Sequence, residues 1–244
     1  MIIPEYELKS AEYRTKKQLH IYISCMYSIY VLGLLVDIYN QLRWGVVSQW
    51  WWQEIMVVLI GLYSADFVTG LIHVYLDNHH VVFNNIHTLN FASAKLNRVA
   101  YAFQYSHHVN PCKMIEGLPI TATDGQLEIL LYLATPTLIA SKVMMITFLS
   151  WGEETRRLIV LGNSIFILFA MSSQIFHAYA HLPKSKVPFC MRLLQSTGII
   201  LSNAEHLKHH KRNEYFFSIV NGWSNPLLNK VYDHFLKPLF LENN

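Results

Sequence analysis

Histidine is concentrated in four short stretches of this sequence, and its imidazole is the side chain that most often binds metal ions in proteins. The chain has 13 histidines among 244 residues. The stretch QIFHAYAH places two of them at i and i+4, so both imidazoles share one face of a helix. Imidazoles are costly to bury in so apolar a segment without a partner. The spacing predicts that His177 and His181 bind metal, with Gln174 supporting them on the same face.

A second stretch, ADFVTGLIHVYLDNHH, combines imidazole with carboxylates. On a helix Asp66, His73 and Asp77 fall at i, i+7 and i+11 and share one stripe. Ionisable groups inside an apolar span are costly and usually functional. We expect His73 and Asp77 to bind metal and Asp66, deeper in the span, to support them without binding directly. The alternative is a polar helix end that pairs with neighbouring helices.

Adjacent histidines occur in the other two stretches. In QYSHHVNP, a helix would direct His107 and His108 about 100° apart. They could bind two ions, or one could bind metal while the other donates a hydrogen bond. In AEHLKHHKRNE, a single helical turn could offer ligands to two ions, and a basic solvated face is the alternative. The candidates in this stretch are His206, His209 and His210, with Glu205 as a supporting carboxylate.

The number and type of these candidates favour two redox-active ions over a single zinc ion. A catalytic zinc site needs about three protein ligands, and the four stretches offer more than twice as many. Nitrogen and oxygen donors suit iron. The predicted ligands of this di-iron centre, which are also the predicted catalytic residues, are His73, Asp77, His107, His108, His177, His181, His206, His209 and His210.

The helices that must position these ligands are apolar enough for a membrane. The chain is 52% hydrophobic and 14% charged, whereas soluble domains carry about 25% charged residues. We predict an all-α membrane bundle that forms one domain over residues 1–244, and a patch at Phe189–Leu201 that lies along the membrane interface. Four segments could cross a hydrocarbon core of about 30 Å: Leu19–Tyr39, Ile55–Leu76, Leu127–Leu149 and Leu158–Ala180.

Charge and cysteine content narrow the location and exclude some partners. Most Lys and Arg residues lie before the first span or after the second and fourth, on the side of the histidines, which predicts a cytoplasmic metal site. The N-terminal segment contains acidic residues, unlike an import peptide, which favours the endoplasmic reticulum or a bacterial inner membrane. A net charge of +3 argues against nucleic-acid binding. The three cysteines form no CxxC pair, which argues against a disulfide framework.

In their order along the chain, the four stretches resemble the Kua family of membrane lipid desaturases from about Ala65 to Leu228. DFVTGLIHVYLD is similar to the family's D-F-x-x-G-x-x-H-x-x-x-D block, HHVNP to HH-x-x-P, and HAYAH to HxxxH. EHLKHH and the later NGWSNPLL are similar to H-x-x-HH and G-W-x-N-x-x-L. The family includes animal plasmanylethanolamine desaturase, which forms plasmalogens, and a plant plastid desaturase of phosphatidylglycerol. Glu205, where many relatives have histidine, and the altered TATDGQ segment make this chain a divergent member.

The resemblance implies a helical membrane fold with a cytosol-facing di-iron centre. It implies O2 as co-substrate, a membrane phospholipid as substrate, and electrons from a donor such as cytochrome b5 or ferredoxin. The nine predicted ligands would then bind the irons or lie next to them, with Asp66 in a structural or supporting role. Three alternatives stay open: a lipid hydroxylase with the same centre, a zinc-dependent membrane lipid hydrolase, and a non-catalytic metal-binding membrane signalling protein.

Overall fold

Helices make up all the regular structure in the part of the chain that the structure describes. This structure is a computed structural model, and it describes residues 28, 31–36, 38–39, 51–81, 91–108 and 152–242. No strand occurs in these ranges, so the predicted all-α fold is confirmed for them. The helices are α1 (Trp51–Asn78), α2 (Phe91–Tyr101, continued by a π-helical turn Ala102–His107), α3 (Glu153–Ala180), α4 (Phe189–Ser196), α5 (Asn203–Lys211), α6 (Asn225–Val231) and α7 (Lys237–Glu242). A 3-10 turn, Lys184–Lys186, precedes α4, and a π-helical turn, Tyr232–Leu236, joins α6 to α7.

Two of these helices are long and apolar enough to cross a membrane. α1 and α3 each contain 28 residues, a length of about 42 Å at 1.5 Å per residue. They contain the predicted spans Ile55–Leu76 and Leu158–Ala180. The other two predicted spans, Leu19–Tyr39 and Leu127–Leu149, lie mostly or wholly outside the described residues, so the count of four stays a prediction.

α1 and α3 run parallel and in close contact. Near their N-terminal ends, Arg157 donates to the Glu54 carboxylate at 2.7 Å. Further along, the backbones approach so closely that a Cβ on Gly61 would lie 2.7 Å from the Gly162 carbonyl oxygen. Small residues permit this approach between apolar helices. Because both helices start at the same end, their histidine-bearing C-terminal ends also lie together.

The C-terminal segment packs across this shared end. Phe217, Leu228 and Tyr232 form a buried cluster with Val74 of α1. A Cβ on Gly70 would lie 2.6 Å from Leu228 Cδ2, so a larger residue here would displace the Leu228 side chain. The segment after α5 therefore covers the end of α1 that carries the predicted ligands.

Asp66 fastens this segment to α1. The carboxylate is fully buried. Its Oδ1 accepts hydrogen bonds from the backbone N–H groups of Val220, Asn221 and Gly222 at 3.1, 2.9 and 3.1 Å. Its Oδ2 accepts from the N–H and the hydroxyl of Ser224 at 2.9 and 2.7 Å. Gly222 has a φ of +87°, which glycine adopts readily, so the loop can turn all these donors towards one buried anion.

Candidate metal centre

Eight of the nine predicted ligands form two groups at the C-terminal ends of α1 and α3. In each group, one nitrogen or oxygen atom from each of four side chains lies within 4.8 Å of the others. Each group draws on several helices, so neither could be recognised from one stretch of sequence. Group A is His107, His181, His206 and His210. Group B is His73, Asp77, His108 and His209.

The adjacent histidines of α2 belong to different groups. They lie at the end of the π-helical turn, a distortion often found at functional sites. Gln104 holds this turn against the end of α1, because its Nε2 donates to the carbonyl oxygens of Leu76 and His79 at 2.7 Å each. Of the two alternatives for the pair, the geometry matches the one in which His107 and His108 serve separate ions.

α5 also contributes to both groups within one helical turn. His206 and His210 belong to group A, and His209 belongs to group B. Glu205 does not support them through its carboxylate, which instead pairs with Lys208 at 2.7 Å on the exposed side of the helix. The single turn therefore presents imidazoles to both groups, while the neighbouring charges face outward.

The nitrogen atoms around His206 of group A converge too closely for hydrogen bonding alone. The Nε2 atom of His206 lies 2.9 Å from Nε2 of His177, 2.9 Å from that of His181 and 3.1 Å from that of His210. A neutral ring nitrogen offers either one proton or one lone pair, so the three contacts cannot all be hydrogen bonds. Nitrogens bound to one ion at about 2.1 Å and at right angles lie about 3.0 Å apart. The spacing therefore fits a shared metal ion.

Group B has lone pairs that face one another. His73 Nδ1 donates to the Phe217 carbonyl at 2.9 Å, and His209 Nδ1 donates to the Tyr215 carbonyl at 2.8 Å. In the neutral ring this leaves Nε2 without a proton. Both Nε2 atoms lie 3.3 Å from Asp77 Oδ2, and none of these three atoms has a hydrogen-bond partner. A cation between them would remove the repulsion, so group B also fits a metal ion.

The carbonyl groups that orient these two imidazoles lie on either side of a strained residue. Phe216 has a φ of +64°, a conformation that costs a residue with a Cβ about 1 kcal/mol or more. Its N–H donates to Asn229 Oδ1 at 3.0 Å, which stabilises the turn. Histidine ligands commonly donate their second N–H to such a carbonyl. The NGWSNPLL motif follows this turn in the sequence but does not specify the left-handed conformation of Phe216.

His177, the ninth predicted ligand, lies between the two groups. It is fully buried, and its ring centroid is 4.6 Å from that of His107 in group A and 5.5 Å from that of His73 in group B. The Oε1 atom of Gln174 lies 3.5 Å from its Nδ1, at the outer limit of a hydrogen bond. His177 could thus add a fifth imidazole to group A through the Nε2 that faces His206.

Burial keeps the imidazoles of group A neutral. It is the main cause that lowers the pKa of His210 to about 4 and that of His181 to about 3. Burial also lowers the pKa of His206 and His107 far below the usual range, and the neighbouring imidazoles lower it further. These rings therefore keep a free lone pair for metal at neutral pH.

This burial predicts acid sensitivity of the metal-stripped protein. Unfolding returns each imidazole to a pKa of about 6.5, so below that pH the unfolded chain binds more protons and the free energy of unfolding falls. The expected slope is about 1.4 kcal/mol per pH unit for each ring that stays neutral when folded. For His210 the loss should extend to about pH 4. Thermal unfolding in detergent between pH 7.5 and 5 measures this loss of stability as a fall in the melting temperature. A melting temperature independent of pH would contradict the lowered pKa values.

The described part of the chain is thus a helical protein with two helices long and apolar enough to cross a membrane. It carries a candidate two-metal site at one end of these helices. Residues 62–237 match the lipid desaturase domain, and the chain belongs to that family. Membership of this family supports the assignment of the chain as a lipid desaturase, which is an oxidoreductase that acts on lipids. The matched residues include all nine predicted ligands.

Three chloroplastic proteins of Arabidopsis thaliana are similar to part of the chain. Fatty acid desaturase 4 is 36% identical over 64 residues, which are 25% of this chain and 20% of that protein. Fatty acid desaturase 4-like 2 is 37% identical over 73 residues, 29% of this chain and 24% of that protein. Fatty acid desaturase 4-like 1 is 36% identical over 72 residues, 29% and 23% of the two chains. The matches thus cover a quarter or less of these relatives, and no solved structure matches the chain.

Proposed function

We propose that this protein is an O2-dependent di-iron lipid desaturase that introduces a double bond into an alkyl or acyl chain of a membrane phospholipid. The observation that carries the proposal is the pair of adjacent four-ligand groups. The lipid desaturase domain supports the reaction class. The narrower resemblance to the Kua family and to plasmanylethanolamine desaturase is part of the proposal.

The donor atoms support iron in both groups. Group A offers imidazole nitrogen alone, and group B adds the carboxylate of Asp77. Such nitrogen and oxygen sets suit iron, whereas a structural zinc site is usually closed by about four ligands that include cysteine. When bound, the two irons would activate O2 and supply the oxidant that removes two hydrogen atoms from neighbouring carbons. Overall, the lipid –CH2–CH2– unit, O2, two electrons and two protons would give –CH=CH– and two waters.

The protein's own contribution would be orientation and exclusion of water. The Phe217 and Tyr215 carbonyls fix two rings of group B, and Gln104 fixes the turn that carries one ring of each group. His73, His177 and His209 are 1% exposed or less, so bulk water has little access to the ring nitrogens. A site of this kind is rigid before the substrate arrives, which favours reaction at one position of the chain.

The parallel course of α1 and α3 supports a chain that crosses the membrane between them. If both helices span the bilayer in the same direction, the intervening chain must return, and the predicted span Leu127–Leu149 would provide that crossing. Exposed apolar side chains on α1, including Trp52, Ile55 and Ile60, would face lipid. Lys184 and Lys186 follow α3 and favour a cytoplasmic site. We propose the endoplasmic reticulum or a bacterial inner membrane as the location.

Electrons would enter from a separate protein such as cytochrome b5 or a ferredoxin. His210 is a partly exposed ring of group A, and Lys211 and Arg212, which follow it at the end of α5, are exposed. A donor with an acidic docking face would find complementary charge there, next to the metal ligands. We therefore propose that the electron donor docks at the end of α5.

The metal content of the detergent-purified chain tests this function first. We expect about two irons per chain, in line with the two groups of ligands, measured together with zinc by elemental analysis. Lipids from a host that expresses the chain should include a species lighter by two hydrogen atoms. About one zinc and no iron would contradict the proposal and favour a hydrolase. No metal in a folded sample grown with iron would favour a non-catalytic protein, and a product heavier by one oxygen would indicate a hydroxylase.

A further inference from the structure

α4 has an apolar side that no described part of the chain covers. The helix has two apolar sides rather than one. Met191 and Leu194 pack towards the buried cluster that contains Phe176. On the outer side, Phe189 is 74% exposed and Leu193 is 53% exposed. Exposed apolar side chains at helical spacing are typical of helices that lie in a membrane surface.

The chain fixes α4 at the level where α3 would leave the membrane. Only eight residues separate the end of α3 at Ala180 from the start of α4. Two of them, Leu182 and Val187, are buried with Tyr179 at the end of α3, so the linker does not extend away. Gln195 Nε2 donates to the Leu201 carbonyl at 3.0 Å and lies 3.5 Å from the Tyr179 carbonyl oxygen. α4 is therefore attached to the last turn of the candidate span.

The charges beside this apolar side are all positive. Lys184 and Lys186 are exposed just before α4, and Arg192 is partly buried within it. No acidic residue occurs from Leu182 to Ala204. Basic residues next to a membrane span attract acidic phospholipids. The positive charge and the position at the end of a candidate span therefore both fit a bilayer surface that contains acidic lipid.

We propose that α4 lies in the surface of the bilayer, with Phe189 and Leu193 in the acyl region and the lysines against acidic phospholipid head groups. This seating holds the turn that carries His177 and His181 at a fixed depth relative to the head groups. The inference rests on α3 crossing the membrane. It requires neither bound iron nor desaturase activity, so its test is separate from that of the proposed function.

Cys190 provides a probe because it is exposed on α4. A full-length variant in which serine replaces Cys25 and Cys112 would be labelled at Cys190 with an environment-sensitive fluorophore. In nanodiscs of phosphatidylcholine and phosphatidylglycerol, both bilayer faces are open to aqueous iodide. The water-facing control carries the same label at exposed position 211. It combines Lys211→Cys and Cys190→Ser with the serine replacements of Cys25 and Cys112.

We expect iodide to quench the Cys190 label about fivefold less than the control label, and nitroxide lipids to quench it more strongly. Equal iodide quenching at the two positions would overturn the proposal. So would protection that occurs in native membranes but not in nanodiscs of pure lipid, which would indicate a protein partner.

Two further variants separate the contributions of apolar and basic residues. Phe189→Ser with Leu193→Ser should bring iodide quenching to the control value in either lipid. Lys184→Gln with Lys186→Gln should match the parent in phosphatidylcholine alone and lose only the additional protection that the parent gains in the acidic mixture, since lysines near a surface bind acidic lipid. An unchanged melting temperature would show that each variant is folded. Folded variants that keep the parent's protection in both lipids would contradict the proposed seating.

Discussion

Replacement of His206 by alanine is expected to lower bound iron from about two ions per chain to about one and to lower desaturation by at least about 100-fold. The Nε2 atom of His206 lies within 3.1 Å of Nε2 of His177, His181 and His210, so its loss removes the centre of group A. Substitutions next to metal ligands already cost 10–100-fold in metal affinity or activity. Loss of a ligand should cost at least as much.

His209→Ala should have the same effect through group B. Its ring lies in the other group, where Nε2 is 3.3 Å from Asp77 Oδ2. If both ions are needed, either single substitution stops turnover, and the double variant adds little. Iron per chain and desaturated lipid per chain would be measured for each variant.

His234→Ala is the matched control for both substitutions. His234 is exposed, contacts the Lys230 carbonyl at 2.9 Å and lies outside both groups. Its replacement should leave iron content and turnover unchanged. A result in which only one of His206 and His209 matters would contradict the two-metal proposal and favour a single-ion site.

Sequence periodicity predicted which residues share a helix face but not which helices meet. The i, i+4 pair of α3 and the HxxHH turn of α5 were recognisable because both patterns are local. The assignment of His107 to group A and His108 to group B depends on how α2 docks on α1. That docking uses hydrogen bonds from Gln104 to backbone carbonyls, which have no side-chain signature.

The supporting residues were harder to predict than the ligands for the same reason. Glu205 sits one turn from His209, a spacing that suggested support, yet its carboxylate faces outward to Lys208. The groups that orient His73 and His209 are main-chain carbonyls. Their direction depends on the left-handed conformation of Phe216, which a sequence pattern does not specify. Long-range contacts of the backbone therefore account for most of what the sequence left undetermined.

Asp66→Asn is expected to lower the free energy of unfolding by about 3 kcal/mol, because each hydrogen bond to a buried charged group contributes about 1.5–3 kcal/mol and at least one is replaced by a contact between two donors. The Asp66 carboxylate accepts five hydrogen bonds from the loop between Val220 and Ser224. Asparagine has nearly the same shape, but its NH2 group would face donors at one of the two oxygen positions. For a chain of this size the melting temperature should fall by about 10 °C. The loop also anchors the segment whose Phe217 carbonyl orients His73, so iron in group B should be lost more readily.

Glu54→Gln provides the control because it disturbs α1 at the opposite end. Glu54 pairs with Arg157 of α3 at 2.7 Å, away from both groups. Its replacement should lower the melting temperature by less than Asp66→Asn and leave iron content at the parent value. Thermal unfolding in detergent and iron analysis of the same samples would distinguish the two variants. An Asp66→Asn protein with an unchanged melting temperature and two irons would show that the buried carboxylate neither stabilises the loop nor supports the metal centre. Loss of iron only in Asp66→Asn would instead link this hydrogen-bonded loop directly to the metal ligands, since both variants disturb α1.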